Sequence, residues 1–178
     1  MKGIIIYNGK YGATAQYAKW IGETFNLDVT KTTTAPTDLS SYDFYIIGSS
    51  VYIGKLLIKD WLLQHQHMLS DKPVFLFIVA GTEPGDTAEI QKIIRANVSA
   101  EQEKQIKIFY LHGQLDIKQL SLKDKIMLKI GAYLARDKEV RRKMLTEFND
   151  VRKCNLNNLF DAVRGLLKQP SADPAFSV

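Results

Sequence analysis

The stretch from Ile4 to Thr14 reads IIIYNGKYGAT, a strand-forming run that passes through two glycines, a lysine, a tyrosine and a threonine and then turns at once into a helical pattern. Gly9 and Gly12 admit backbone conformations and close approaches that a Cβ forbids, which makes the segment a candidate ligand-binding turn. Its lysine does not make it a nucleotide triphosphate loop, because Tyr11 and not Ser or Thr follows Lys10. Nor do two glycines meet the three-glycine dinucleotide fingerprint. Other chemistry-bearing residues are scattered. His65 and His67 are two apart on a helical pattern and face different sides. His112 follows a strand and reads as a structural or surface residue, and Cys154 has no CxxC neighbour. No acid, base and nucleophile constellation stands out.

The elements that must position this turn alternate in type. Gly3 to Tyr7 is a strand, and Ala13 to Phe25 is a helix with Ala13, Tyr17, Trp20, Ile21 and Thr24 near one face. Strands are expected at Asp28 to Lys31, Phe44 to Val51, Val74 to Ala80 and Ile106 to Leu111. Helices are expected at Leu56 to His67, Thr87 to Asn97 and Leu156 to Leu167. Repeated βα units favour a parallel sheet covered on both faces. At 178 residues the chain suits one domain, residues 1–169, followed by a loose tail at 170–178. The interval of about 112–155 is too long for an ordinary connection and carries Leu122, Ile126, Met127, Ile130 and Leu134 on one helical face, with Lys123, Lys125 and Lys129 around it. That face is expected to pack on its own domain, with a lipid surface, a protein partner or a second subunit as the alternatives.

A formal charge of +5 implies attraction to something anionic. Arg136, Lys138, Arg141, Arg142 and Lys143 form its densest patch, either a solvated face or a docking surface. Nucleic acid is the weaker partner, for no array of stacking aromatics accompanies the charge. Neither a signal peptide nor a membrane span is expected, the run Val74 to Gly81 being far too short for the latter. The expected location is the cytoplasm, with peripheral contact at the inner face of a membrane left open.

In YNGKYGATAQYAKWI, YDFYIIGSSVYIGKLLIKDW and VFLFIVAGTEPG, and in the basic, apolar interval before the last helix, the chain resembles the flavodoxin-like superfamily, most of all its quinone-dependent protoporphyrinogen dehydrogenases. The resemblance spans most of residues 3–168 and implies a three-layer α/β fold: a parallel five-stranded sheet with an insertion before the terminal helix. It also implies FMN as cofactor, with Asn8, Gly9, Lys10, Tyr11, Gly12, Ala13 and Thr14 around the phosphate, where backbone donors and the helix field meet the anion. A second wall is expected from Ser50, Val51, Tyr52, Ile53 and Gly54, with Tyr52 against the ring and Gly54 permitting a strand-to-helix turn. A third comes from Ala80, Gly81, Thr82 and Glu83, with Glu83 facing either the flavin or water. The implied reaction is oxidation of a porphyrinogen with a quinone as acceptor; a non-enzymatic electron carrier that serves a redox protein is the alternative.

Overall fold

The computed structural model describes residues 1–168, so the tail expected at 170–178 lies outside the described residues. In chain order the elements are β1 (Gly3–Asn8), α1 (Ala13–Phe25), β2 (Asp28–Lys31), β3 (Phe44–Tyr52), β4 (Lys55–Leu56), α2 (Lys59–Gln64), α3 (Gln66–Leu69), β5 (Val74–Ala80) and α4 (Thr87–Asn97). There follow α5 (Ala100–Gln105), β6 (Ile106–His112), β7 (Gln114–Leu115), α6 (Leu122–Leu134), α7 (Lys138–Met144), β8 (Phe148–Asn149) and α8 (Asn157–Leu167), the last entered through a 3-10 turn at Lys153–Leu156.

Five parallel strands lie in the order β2-β1-β3-β5-β6, with β4 folded back antiparallel on β3. This is the three-layer α/β architecture that the alternation predicts. Strands β1, β3 and β5 are buried on both faces, and for that reason they read as continuous apolar runs. The strand period of two sends Ile4, Ile6, Tyr45, Ile47, Leu76 and Ile78 to one face, where Leu62, Ile90 and Ile94 cover them. It sends Ile5, Ile46, Phe75 and Phe77 to the other, beneath Tyr17 and Ile21 of α1 and Leu159, Phe160 and Val163 of α8. Each such side chain contributes about 1.5–3 kcal/mol on burial, and the two layers together fix the sheet.

The order in which strands are added reverses between β1 and β3, parallel neighbours whose last paired residues are Asn8 and Ser49. An open parallel sheet binds ligands in the crevice at the carboxyl ends of its strands at such a point. One expected element differs. Residues 56–67 do not form a single helix: Lys55–Leu56 pair with Val51 and Tyr52 as a hairpin, and only then do the short helices α2 and α3 follow. Leu56 is drawn into the sheet because its side chain is 3% exposed there, a burial that overrides its helical propensity.

The interval expected as an insertion leaves and rejoins the domain through a small ribbon, β7 paired with β8. His112 fastens the return. Its Nδ1 lies 3.1 Å from Asp150 Oδ2, and its ring stacks on Phe148 at 4.9 Å. The buried Tyr17 hydroxyl donates to the His112 carbonyl at 2.7 Å and accepts from Asn155 at 2.8 Å. His112 thus takes the structural role expected of it.

Candidate functional site

At the carboxyl edge the chain forms a recess lined by Lys10, Tyr11, Ala13, Thr14, Ser50, Val51, Tyr52, Val79, Ala80, Gly81, Gly113 and Gln114. Three loops that are distant in sequence therefore meet, as the sequence predicts. A larger recess at the opposite edge, about 400 Å³ between Phe75, Lys107 and Leu166, lies at the amino ends of the strands and holds none of the buried unpaired hydroxyls. The carboxyl-edge recess is the candidate site.

Its clearest chemical feature is a pair of hydroxyls. Thr14 Oγ1 and Ser50 Oγ are buried and have no hydrogen-bond partner among the described residues. A buried polar group without a partner costs about 1–3 kcal/mol, so two of them on facing walls of one recess are donors awaiting an acceptor. The start of α1 points the same way. Gly12 takes φ 89°, no side chain caps the helix, and its first turn carries no acidic residue. Gly9 lets the loop close on Thr14, since a Cβ there would lie 2.6 Å from Thr14 Cβ. Uncapped N–H groups, a helix dipole and a buried hydroxyl fit a phosphate and leave no room for a bulkier loop.

Lys10 and Tyr11 do something the sequence does not show. Their side chains turn to Asp124 of α6, a carboxylate only 5% exposed. Lys10 Nζ lies 2.5 Å from Asp124 Oδ2, the Tyr11 hydroxyl donates to the same oxygen, and the Tyr52 hydroxyl donates to Oδ1 at 2.6 Å. Lys10 Nζ also sits 4.3 Å from the centre of the Tyr52 ring. These partners, Lys10 first, hold the Asp124 carboxyl well below the usual carboxylate range. In return Asp124 raises Lys10 and Tyr52 above their ordinary values. The insertion is thereby latched across the first turn and the second wall. Helix α6 thus forms a roof over the loops that carry Lys10, Tyr11 and Tyr52. The recess measures about 100 Å³, while pockets that bury a drug-sized ligand are roughly 300–1,000 Å³.

The second wall departs from expectation in two residues. Ile53 and Gly54 do not line the recess; they form the two-residue turn of the β3–β4 hairpin, with φ 50° and 72°. Gly54 therefore serves a strand-to-strand turn and not a strand-to-helix turn. Ile53 is 63% exposed and is a β-branched residue held at positive φ, a strained choice. Buried Asn97 anchors this tip, accepting from Leu56 N at 2.9 Å and donating to Gly54 O at 2.8 Å.

On the third wall Ala80 and Gly81 line the recess, whereas Thr82 and Glu83 do not. The Thr82 carbonyl accepts from Tyr110, whose hydroxyl burial pushes up to about 12. Glu83 is exposed to water, as one of its two expected placements has it, and pairs with Lys143 of α7 at 3.2 Å. Asn8 and Gly9 support the turn without lining the recess, Asn8 by donating to the Leu57 carbonyl at 3.0 Å. Sequence reasoning missed Asp124, Gly113 and Gln114. Gln114 donates to the Tyr11 carbonyl at 3.0 Å from the exit of β6, and the fourth strand end of a parallel sheet was the signal available for it.

Comparison with curated proteins finds no match. Among solved structures the chain is similar to a flavodoxin from the domain Archaea, with 18% identity over 82% of this chain and 94% of that one and a TM-score of 0.45. A WrbA-like flavodoxin from Agrobacterium tumefaciens shows 16% identity over 80% and 98%, with a TM-score of 0.44. A Fusobacterium nucleatum flavodoxin variant bound to flavin mononucleotide shows 16% identity over 67% and 72%, with a TM-score of 0.40. At these values the likenesses carry no functional weight. The model of a family described as a flavodoxin domain matches residues 4–140, from β1 into α7, and by that match the chain belongs to the flavodoxin domain family.

Proposed function

We propose that the chain is an FMN-dependent oxidoreductase that oxidises a porphyrinogen and passes the reducing equivalents to a quinone. The observation that carries the cofactor is the pair of buried, unpartnered hydroxyls, Thr14 and Ser50, on facing walls of a recess in a flavodoxin-domain chain. Bound FMN supplies reversible exchange of a hydride equivalent, chemistry that no side chain in the recess offers. The first turn and Thr14 hold the phosphate. Ser50 and the amides near Gly81 orient the ring, Tyr52 offers its aromatic face, and the α6 roof controls the access of water. In balance, each turnover removes a pair of electrons with their protons from the tetrapyrrole and converts one quinone to a quinol, and three turnovers take the porphyrinogen to the porphyrin.

Support for an enzyme over a simple carrier comes from the roof. A carrier needs an exposed ring edge for a partner protein, whereas here Asp124 draws a helix over the loops. The test is anaerobic. Protoporphyrinogen is expected to bleach the flavin absorbance of protein reconstituted with FMN, and excess menaquinone is expected to restore it and, over three turnovers, to yield the fully oxidised porphyrin. FMN binding without substrate-driven bleaching, together with fast exchange with a redox protein, would leave the carrier reading in its place.

A further inference from the structure

His112 sits between two hydrogen-bond acceptors. Its Nδ1 lies 3.1 Å from the Asp150 carboxylate at the return of the insertion, and its Nε2 lies 3.3 Å from the carbonyl of Gly81, which lines the third wall of the recess. The ring is held there by its stack on Phe148, whose edge lies against Gly81, 3.2 Å from where a Cβ on that residue would stand. A neutral imidazole carries one N–H and a lone pair on the other nitrogen, while an imidazolium carries a donor on each. Only the protonated ring satisfies both acceptors at once.

The groups around the ring decide which bond survives when that proton leaves. The other oxygen of Asp150 accepts from Arg152 at 3.0 Å. From α1, the Tyr17 hydroxyl donates to the His112 carbonyl; Asn155 donates to that hydroxyl, and Cys154 lies near it. Glu83, two residues beyond Gly81, is paired with Lys143. A carboxylate accepts more strongly than a peptide carbonyl, so the one N–H of a neutral ring stays on Nδ1 with Asp150, and the Gly81 carbonyl is left facing a lone pair. We propose that His112 is a positioning residue for the third wall: protonated, it pins the Gly81 carbonyl to the root of the insertion, and deprotonated, it releases that carbonyl while keeping Asp150. The peptide after Gly81 is planar and trans, so fixing its carbonyl also fixes the direction of the Thr82 N–H. The wall is therefore set at low pH and loosens as pH rises through the imidazole range, centred at about 6.5 for an unperturbed ring. The pin belongs to the chain alone, and its effect on a flavin rests on the FMN reading above.

Nuclear magnetic resonance of the cofactor-free chain between about pH 5 and pH 9 tests it. The Thr82 amide resonance is expected to move with the same midpoint as the His112 ring. In His112→Gln, which cannot gain a charge, that step should vanish. In Asp150→Asn the ring should still titrate while the Thr82 step shrinks by roughly half or more, because an amide can donate to Nδ1 and leave the ring's own hydrogen on Nε2 for Gly81. With FMN added, the affinity of the unaltered chain relative to His112→Gln should fall by about twofold to tenfold from the acid to the alkaline side, the worth of one hydrogen bond. Titration of the ligand's phosphate is common to both chains and cancels in that ratio. The proposal is overturned if Thr82 does not follow the ring, if its step persists in His112→Gln, or if the affinity ratio is the same on both sides. Should His112→Gln not fold, an undiminished Thr82 step in Asp150→Asn overturns it equally. Failure of FMN to bind at all would strike the cofactor reading and leave the Thr82 titration to decide the role of His112.

Discussion

Thr14 and Asp124 respond to substitution in opposite senses. Thr14→Val keeps the shape and removes a hydroxyl that is buried without a partner. The cofactor-free protein should gain stability, up to about 1 kcal/mol, while FMN binds more weakly by about 0.5–1.5 kcal/mol. Urea unfolding and flavin titration read the two signs; loss of stability together with unchanged affinity would move the phosphate away from Thr14. Asp124→Ala releases Lys10, Tyr11 and Tyr52 and unlatches the roof. FMN affinity should rise, because closure no longer competes with binding and Lys10 becomes free for the phosphate. Weaker binding would mean that the network positions the site and does not obstruct it. Acid gives an independent reading. A carboxylate whose folded value is depressed contributes stability above its ordinary value of about 3.8 and loses it as pH falls through the folded value. Hydrogen exchange in α6 should therefore accelerate below about pH 4 in the unaltered chain, and that step should vanish in Asp124→Asn.

The β3–β4 hairpin is where local sequence and local geometry disagree. A two-residue turn with both φ values positive suits Asn-Gly, yet the chain places Ile53 before Gly54. Ile53→Asn should stabilise the protein by about 1 kcal/mol in urea unfolding, since the exposed side chain gives up little burial and the strain is relieved. Asn97→Ala acts at the other side of the same tip. It leaves Leu56 N and Gly54 O without their buried partner and should cost about 2–3 kcal/mol. If both variants unfold like the parent, the hairpin is not held as described. Apolar content alone reads residues 56–67 as a helix, because a strand of only two residues offers no period to detect.

Across the whole molecule the core rests on tight contact between β3 and β5. A Cβ at Gly48 would stand 2.1 Å from Phe77 Cζ, so Gly48→Ala must displace a fully buried ring. The expected loss is about 1–3 kcal/mol, read by denaturant unfolding, with FMN binding reduced only through stability. An unperturbed midpoint would show that the two strands are more loosely apposed. The exposed α6 stripe of Leu122, Ile126, Ile130 and Leu134 lies at the other end of the scale of burial, where changes should leave the unfolding midpoint nearly unaltered.

What the sequence by itself determined was the βα alternation, the parallel sheet and the three loops that line the recess. IIIY, FYIIGSS and VFLFIVA are buried on both faces, so their apolar runs and the turns that follow are written into windows of a few residues. The turn from Asn8 to Thr14 was legible for the same reason, its glycines and threonine lying within one short window. Tertiary structure decided which side of α6 faces the domain. The sequence pattern of Leu122, Ile126, Met127, Ile130 and Leu134 predicts that the apolar stripe packs inward; in the structure Asp124 turns inward and the stripe faces out. Asp124 finds Lys10, Tyr11 and Tyr52 at separations of 114, 113 and 72 residues, and no short window contains such partners. A helix's periodicity defines its faces, but which of them is buried depends on the donors that the rest of the fold brings to it.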